Sequence, residues 1–393
     1  MKKLLSGFLI VTLLLGVYYF TPKTKASFGY SRTITVDHTK VPNTDQSNFP
    51  VLVSGTYTYL ETVGNGGKVQ DSNGYDVGFY TNSNCSTGKM SWETELYTAT
   101  TGVVVYWVNN TTLSHTVDTV FYMCYGDATI STDQSNKTAV WDTNFKGVWH
   151  LPNGTTLTAN DSTSNANTGT ITNATATTGQ VDGGANYTAG NSNIKIPSAS
   201  ALNISYPLTL EAWVYPTVVG SSYQAIITKG SSRDYAFFLS AAGANQIYIS
   251  IGATIDGNIT LSSSVVANSW NHIVLSLPDG GGGSATMVIY LNGQSVWSGS
   301  QASPTIGLAD AYFGEELGSQ FPLTGKLDEV RISSTNRSAD WVATEYNNQS
   351  SPSTFYTVGS EVPFATTPPA PKPNTTITNI GSLFIKGSYF ISN

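Results

Sequence analysis

Hydrophobic and polar positions alternate most cleanly over residues 208–215, LTLEAWVY. Leu208, Leu210, Ala212 and Val214 fall on one side and Thr209, Glu211, Trp213 and Tyr215 on the other, with Pro207 and Pro216 bounding the run. A period of two over this length predicts a strand of an antiparallel sheet with a wholly aliphatic, buried face. The opposite face, one carboxylate and two aromatics, is either a second buried layer or an open surface for a ligand. Comparable runs occupy residues 30–37, 49–53, 76–80, 92–97, 103–108 and 119–125, separated by Gly, Asn and Ser clusters. Further on, Asn292-Gly293 predicts a hairpin with a type I′ turn, and the Gly-rich residues 279–284 predict a loop between two strands. Helical period is confined to residues 134–141 and to a segment that Ser338 would cap, where Ala339, Trp341, Val342, Glu345 and Tyr346 form a mixed face before Asn347-Asn348. Regular strands with no interleaved helices imply antiparallel sheets packed face to face. The expected fold is all-β, two antiparallel β-sandwich domains in tandem.

Composition adds the setting. Charged residues are 11% of the 393, the net charge is −7, and there are 22 Tyr and 8 Trp. A chain with so few cations has no basic patch for phosphates, which argues against nucleic acid as a partner. Lys2 and Lys3, an apolar run over 4–20 and the small residues of Thr24-Lys25-Ala26 predict a signal peptide over 1–26, cleaved before Ser27, with a retained anchor as the alternative. The expected location is secreted or cell-surface. In that compartment the two cysteines, Cys85 and Cys124, are expected to form a disulfide, the other reading being two buried thiols. A Pro-rich linker over 363–376 leads to a short β-forming tail over 377–393, a segment suited to attachment or self-assembly.

Two resemblances then cover most of the chain. YSRTITVDHTKV, NFPVLV, WETELY, VVVYWVNNTTLSHTVDTVFYMCYGD and SNKTAVWD, within residues 27–142, are similar to a β-sandwich domain of unknown function found in secreted bacterial and phage-associated proteins. Within residues 143–362, GVWHLPNG, LTLEAWVYP, SWNHIVLSL, MVIYLNGQSVWSG and GKLDEVRIS resemble, in that order, a laminin-G-like jelly roll of the concanavalin A-like lectin/glucanase superfamily. The resemblance implies calcium as a cofactor to test. Asp161 in NDSTSN and Asp328 in GKLDEVRIS match the family's metal positions, although Asn165 and Ala166 replace the usual glycine. The competing reading makes Asp161 a turn-forming residue and Asp328-Glu329 a structural pair, one bonding backbone and one bridging Arg331 or Lys326.

Catalysis lacks its parts. Hydrolases of this superfamily place carboxylates on one strand face as Glu-x-Asp-x-(x)-Glu, because glycoside hydrolysis needs two acids flanking the bond. Glu211 stands alone on its strand, and Glu315-Glu316 and Asp328-Glu329 are adjacent pairs, which in a strand point to opposite faces. No nucleophile elbow or phosphate loop occurs, and His38, His115, His150 and His272 are scattered. Sugar binding needs an aromatic platform flanked by amides and carboxylates. Glu211, Trp213, Tyr215, Tyr248, Asn271 and Tyr312 could supply one, with Trp213 the most core-like of them and Tyr215 and Tyr312 the better ligand candidates. The expected function is non-catalytic binding of a glycan or cell-surface polysaccharide, or adhesion. The alternatives are a structural component of a surface layer, appendage or virion, and an atypical glycoside hydrolase.

Overall fold

Successive strand residues point to opposite sides of their sheet, so each strand sends one set of side chains to the core and the other outward. A computed structural model describes residues 28–364, apart from 153–155, 189, 231–232, 253–254, 282–283, 302–306 and 318. The leader at 1–26, the tail at 377–393 and nearly all of the linker lie outside the described residues. Among the described residues, four antiparallel sheets make two sandwiches. No helix among them is long and apolar enough to cross a membrane.

In the first sandwich, one sheet runs Tyr356–Val358, Tyr30–Val36, Thr119–Tyr125, Val77–Tyr80, with Val362–Pro363 also paired to Tyr30–Val36. It faces a sheet of Gln46–Thr56, Val103–Leu113 and Trp92–Thr98. Ile34, Val51, Phe79, Tyr106, Phe121 and Met123 fill the space between them. Cys85 and Cys124 are disulfide-bonded beside Phe28. Residues 134–141 contain only the 3-10 turn Lys137–Ala139, and Trp141 is turned inward, where its indole donates to Glu93.

In the second sandwich, the larger sheet runs Gln294–Gln301, Ala285–Leu291, Asn271–Leu277, Leu208–Pro216, Gly325–Ser333, Gly183–Tyr187, Thr175–Thr178, with Phe145–Trp149 paired beside Gly183–Tyr187 on Gly325–Ser333. The other sheet runs Ile255–Thr260, Gln246–Ile251, Tyr235–Leu239, Gln224–Lys229, Ala311–Phe313, Asn193–Ile196, Thr170–Thr172. Leu208, Leu210, Ala212 and Val214 meet Tyr235, Phe237, Leu239, Ile247 and Ile249 in the core between the two. Each such large side chain contributes about 1.5–3 kcal/mol by leaving water. The hairpin turn has positive φ at both Asn292 (52°) and Gly293 (76°), the type I′ geometry. A Cβ on Gly293 would also press on the Tyr346 side chain, at 3.0 Å.

The helix α1 (Ala339–Ser350) decides how the sandwiches meet. The Ser338 hydroxyl accepts the Trp341 N–H at 3.1 Å and starts it, and it runs past Asn347-Asn348 to Ser350. Its face is mixed because it lies between two bodies. Trp341 joins the first core, Val342 packs on Val274 and Tyr290 of the second, and Asn348 bonds both backbone groups of Leu52. The chain then re-enters the first sandwich. Tyr356–Val358 and Val362–Pro363 pair with Tyr30–Val36, so the end of the segment expected over 143–362 completes the first sandwich's sheet. The cause is α1, which carries the chain back across the junction and lets Phe355 and Tyr356 bury in the first core.

Candidate functional site

The outer face of Leu208–Pro216 is covered. Glu211 and Trp213 are each 2% exposed, and α1 and the first sandwich lie over them. The Trp213 indole donates to Gln349 of α1 at 2.5 Å and stacks on Tyr346 at 5.7 Å. The expected ligand surface at Glu211 and Trp213 is therefore corrected: both serve an internal interface. Tyr215, near the end of the strand, is half-buried, edge-on to Trp270 at 5.5 Å with Lys326 over its ring. Tyr312 is buried on the outer face of the other sheet, in register with Lys195 and Thr228, and so offers no open platform.

Between the sandwiches lies a closed ionic interior. A bulge opposite Glu211 and Trp213 turns both Asp328 and Glu329 outward, since Leu327 and Val330 flank them in the core and Glu329 has φ 49°. Adjacent carboxylates thus share a face that regular strand geometry would deny them. Glu329 bonds Arg331 Nη2 at 2.7 Å and His150 Nδ1 at 2.7 Å. Arg331 also meets Glu345 of α1, lies 3.7 Å from Glu211, and sits 4.7 Å over Trp107. From the first sandwich, Glu93 reaches His150 Nε2 at 3.3 Å and Glu95 accepts the Trp107 indole N–H at 2.7 Å. Burial alone would depress the His150 imidazolium, but Glu329, Glu95 and Glu93 outweigh it and hold its pKa well above the ordinary value. Burial drives the Glu95 carboxyl up, whereas His150 and Arg331 overcome burial at Glu329 and hold it low. His272, bonded to Glu211 at 3.0 Å, is pushed down to about 4 by burial and stays neutral.

The ligand atoms of Glu95, His150 and Glu329 lie within 4.8 Å of one another, as do those of Glu211, His272 and Glu345. Arg331 already bridges the two groups, bonding Glu329 on one side and Glu345 on the other, so part of the charge a cation would neutralise is matched internally. The side chains of both groups are at most 4% exposed, between α1 and the two sandwiches. Asp37, His38 and Asp118 form a comparable group on the surface of the first sandwich, with His38 and Asp118 paired at 2.7 Å.

Each of the two acids considered for calcium accepts several hydrogen bonds from the protein. Asp161 accepts the backbone N–H groups of Val148, Thr163 and Asn167 at 2.8–3.0 Å and the Thr163 hydroxyl. Asp328 accepts those of Gln180 and Val181 at 2.8 and 3.0 Å and that of Glu329 at 2.7 Å. A cation would have to displace these donors. Asp161→Asn is expected to lower the unfolding free energy by about 1–3 kcal/mol in urea titration, since an amide nitrogen then faces N–H donors. Neither the variant nor the parent should shift its melting temperature on chelator addition. A calcium-dependent melting temperature in the parent would contradict this assignment.

An open site lies on the other side of the molecule. Tyr235, Phe237 and Leu239 point to the core, so Ala236 and Phe238 point outward; likewise Ile247 and Ile249 point in and Tyr248 out. Phe238, Tyr248, Tyr223 and Phe321 line a cavity of about 280 Å3 with Arg233. The rings meet edge to face, Tyr223 on Tyr248 at 5.2 Å, Phe238 on Tyr248 at 5.6 Å and Phe238 on Phe321 at 5.8 Å. Arg233 donates to Glu316 with two nitrogens, at 2.7 and 3.0 Å. The Tyr248 hydroxyl donates to Asp256 and thereby holds that carboxyl below its usual range. Arg233 and Phe321 both have left-handed backbones, φ 55° and 53°, a strained geometry of the kind that clusters at ligand sites. Glu315 turns the other way, accepting from Asn193 at 2.7 Å.

Of these residues the sequence offered only Tyr248 as a ligand candidate, and Glu315-Glu316 only as an adjacent acid pair. Phe238 sits in YAFFL, residues 235–239, whose five apolar side chains show no alternation. That run was the available signal: a strand without a polar face has both faces covered, here by the core and by the rings around Arg233.

Fold and sites together describe an all-β chain of tandem sandwiches whose C-terminal part is a concanavalin A-like domain. The family model of the Concanavalin A-like lectin/glucanases superfamily matches residues 188–343. No curated protein matches the sequence. Among solved structures, domain 4 of an extracellular arabinanase of Geobacillus stearothermophilus, in complex with arabinotriose, is similar at 18% identity and TM-score 0.40, covering 52% of this chain and 98% of that one. The binding domain of Paraclostridial Mosquitocidal Protein 1 is similar at 14% identity and TM-score 0.40, with 52% of each chain covered. A mutant Trypanosoma rangeli sialidase with trans-sialidase activity is similar at 15% identity and TM-score 0.41, over 62% of this chain and 41% of that one.

Proposed function

We propose that this is an extracellular, non-catalytic glycan-binding or adhesion protein whose sugar site is the pocket of Tyr223, Phe238, Tyr248 and Phe321. One observation carries the reading: three half-buried rings, Tyr223, Tyr248 and Phe321, gather over the buried Phe238 on the sheet face turned away from α1 and the first sandwich. Elsewhere in the chain most large aromatics lie in the core or the junction. Aromatic faces accept the C–H side of a sugar ring, and the acids around Arg233 accept its hydroxyls. A mostly apolar cavity with a few placed polar groups is the usual form of such a site.

Glycan-array and polysaccharide pull-down measurements on the full chain test the proposal. Tyr248→Ala is expected to weaken binding about ten- to a hundredfold. It should leave the thermal unfolding midpoint close to that of the parent, because the ring is only half-buried. Failure to bind across diverse glycans, with calcium present, would remove this reading.

A further inference from the structure

An arginine among aromatic rings is a ready receptor for the carboxylate or sulfate of an acidic glycan. In this pocket the guanidinium is already engaged. Nε and Nη2 of Arg233 donate to the two oxygens of Glu316 at 2.7 and 3.0 Å. Nη1 donates to the Tyr248 hydroxyl at 3.1 Å and to Asp256 at 3.3 Å. Phe238, Tyr248 and Phe321 surround its carbon with centroids at 5.2–5.5 Å. Each nitrogen therefore has a protein acceptor, and one cation faces two carboxylates. The supporting loop is pinned: Glu316 N–H bonds the Gln320 carbonyl at 2.8 Å, and the Phe321 carbonyl accepts the Ala225 N–H at 2.8 Å. Swinging Arg233 out to meet an anion would break the paired bonds to Glu316 and leave that acid, 6% exposed, without its partner.

Resting on the glycan-binding reading of the same pocket, we infer that the site selects neutral glycans and rejects those bearing carboxylate or sulfate groups. Arg233 is a positioning residue that holds the rings and the two acids, and Asp256 with Glu316 sets the sign of the field at the mouth. An anionic sugar approaching within a few ångströms of the unbalanced carboxylate is repelled, and salt weakens that repulsion.

The test compares matched probes on the full chain: methyl-esterified against de-esterified polygalacturonate, dextran against dextran sulfate, and an array of neutral, sialylated and sulfated glycans. The expected result is binding of neutral glycans, with acidic counterparts at least about tenfold weaker at low ionic strength and the gap narrowing in salt. Asp256→Asn combined with Glu316→Gln should close most of that gap, with thermal unfolding confirming the fold. Acidic glycans bound as tightly as neutral ones by the parent protein would overturn the charge selection and leave the glycan site standing. Absence of binding to any probe would overturn both. The parent comparison alone decides, so a variant that fails to fold does not shelter the inference.

Discussion

Arg331→Met is expected to lower the unfolding free energy by about 3–5 kcal/mol. Arg331 is the cation among Glu211, Glu329 and Glu345, and it is 1% exposed. Methionine fills much of its volume but strands the buried charge of Glu329, which Arg331 helps to hold ionised, and removing one partner of a buried ionic set is far costlier than never building it. The stacking of the guanidinium between Trp107 and Trp141 is lost as well. Equilibrium urea unfolding at neutral pH measures the change. Replacing Glu329 and Glu345 by apolar residues in the same variant should recover a large part of the loss. A single-variant effect below about 1 kcal/mol would mean that water reaches the junction and screens it.

Glu345→Gln should reshape the pH dependence of stability. Burial, and then the charge of Glu211, push the Glu345 carboxyl up to about 8 from an ordinary 4.5. Over that window the folded state keeps a proton that the unfolded chain has released, so stability falls as pH rises. The full slope is about 1.4 kcal/mol per pH unit. Glutamine has no such proton. The stability of the variant relative to the parent should therefore climb by about 3 kcal/mol between pH 5.5 and 7.5. His272, with its pKa lowered to about 4, contributes the opposite slope: stability present above its ordinary 6.5 and lost as pH falls toward 4. Glu345 raises the His272 pKa, so the variant's is lower still; the folded imidazole is neutral in both proteins from pH 5.5 to 7.5, and over that window its contribution cancels. Urea titrations at several pH values give the curve, and a pH-independent difference would show that Glu345 is ionised throughout.

The junction and the pocket were legible to different degrees. LTLEAWVY announced its aliphatic face and left the other ambiguous, because Glu, Trp and Tyr suit an interface and a sugar platform equally. The interface is built by α1 and by Trp92–Thr98, whose Glu93 and Glu95 lie more than a hundred residues away from Glu211 in the chain. Spacing arguments sought catalytic carboxylates on one strand, and the structure gathers its acids from four elements. The bulge at Asp328-Glu329 defeats the alternation rule locally by adding one residue. The pocket is similar in kind, since Tyr223, Arg233, Glu316 and Phe321 come from loops and Phe238, Tyr248 and Asp256 from three separate strands.

By itself the sequence determined the local elements: strands from period-two alternation, the type I′ turn from Asn292-Gly293, the start of α1 from Ser338. These follow from backbone sterics and short-range hydrogen bonds, which neighbouring residues carry in full. Tertiary structure alone decided which faces met. It closed one face of Leu208–Pro216 under α1, returned Tyr356–Val358 to the first sandwich and left Tyr223, Tyr248 and Phe321 half-buried around Arg233. The reason is that burial and charge pairing depend on distances between residues far apart in the chain, and no window of sequence contains them.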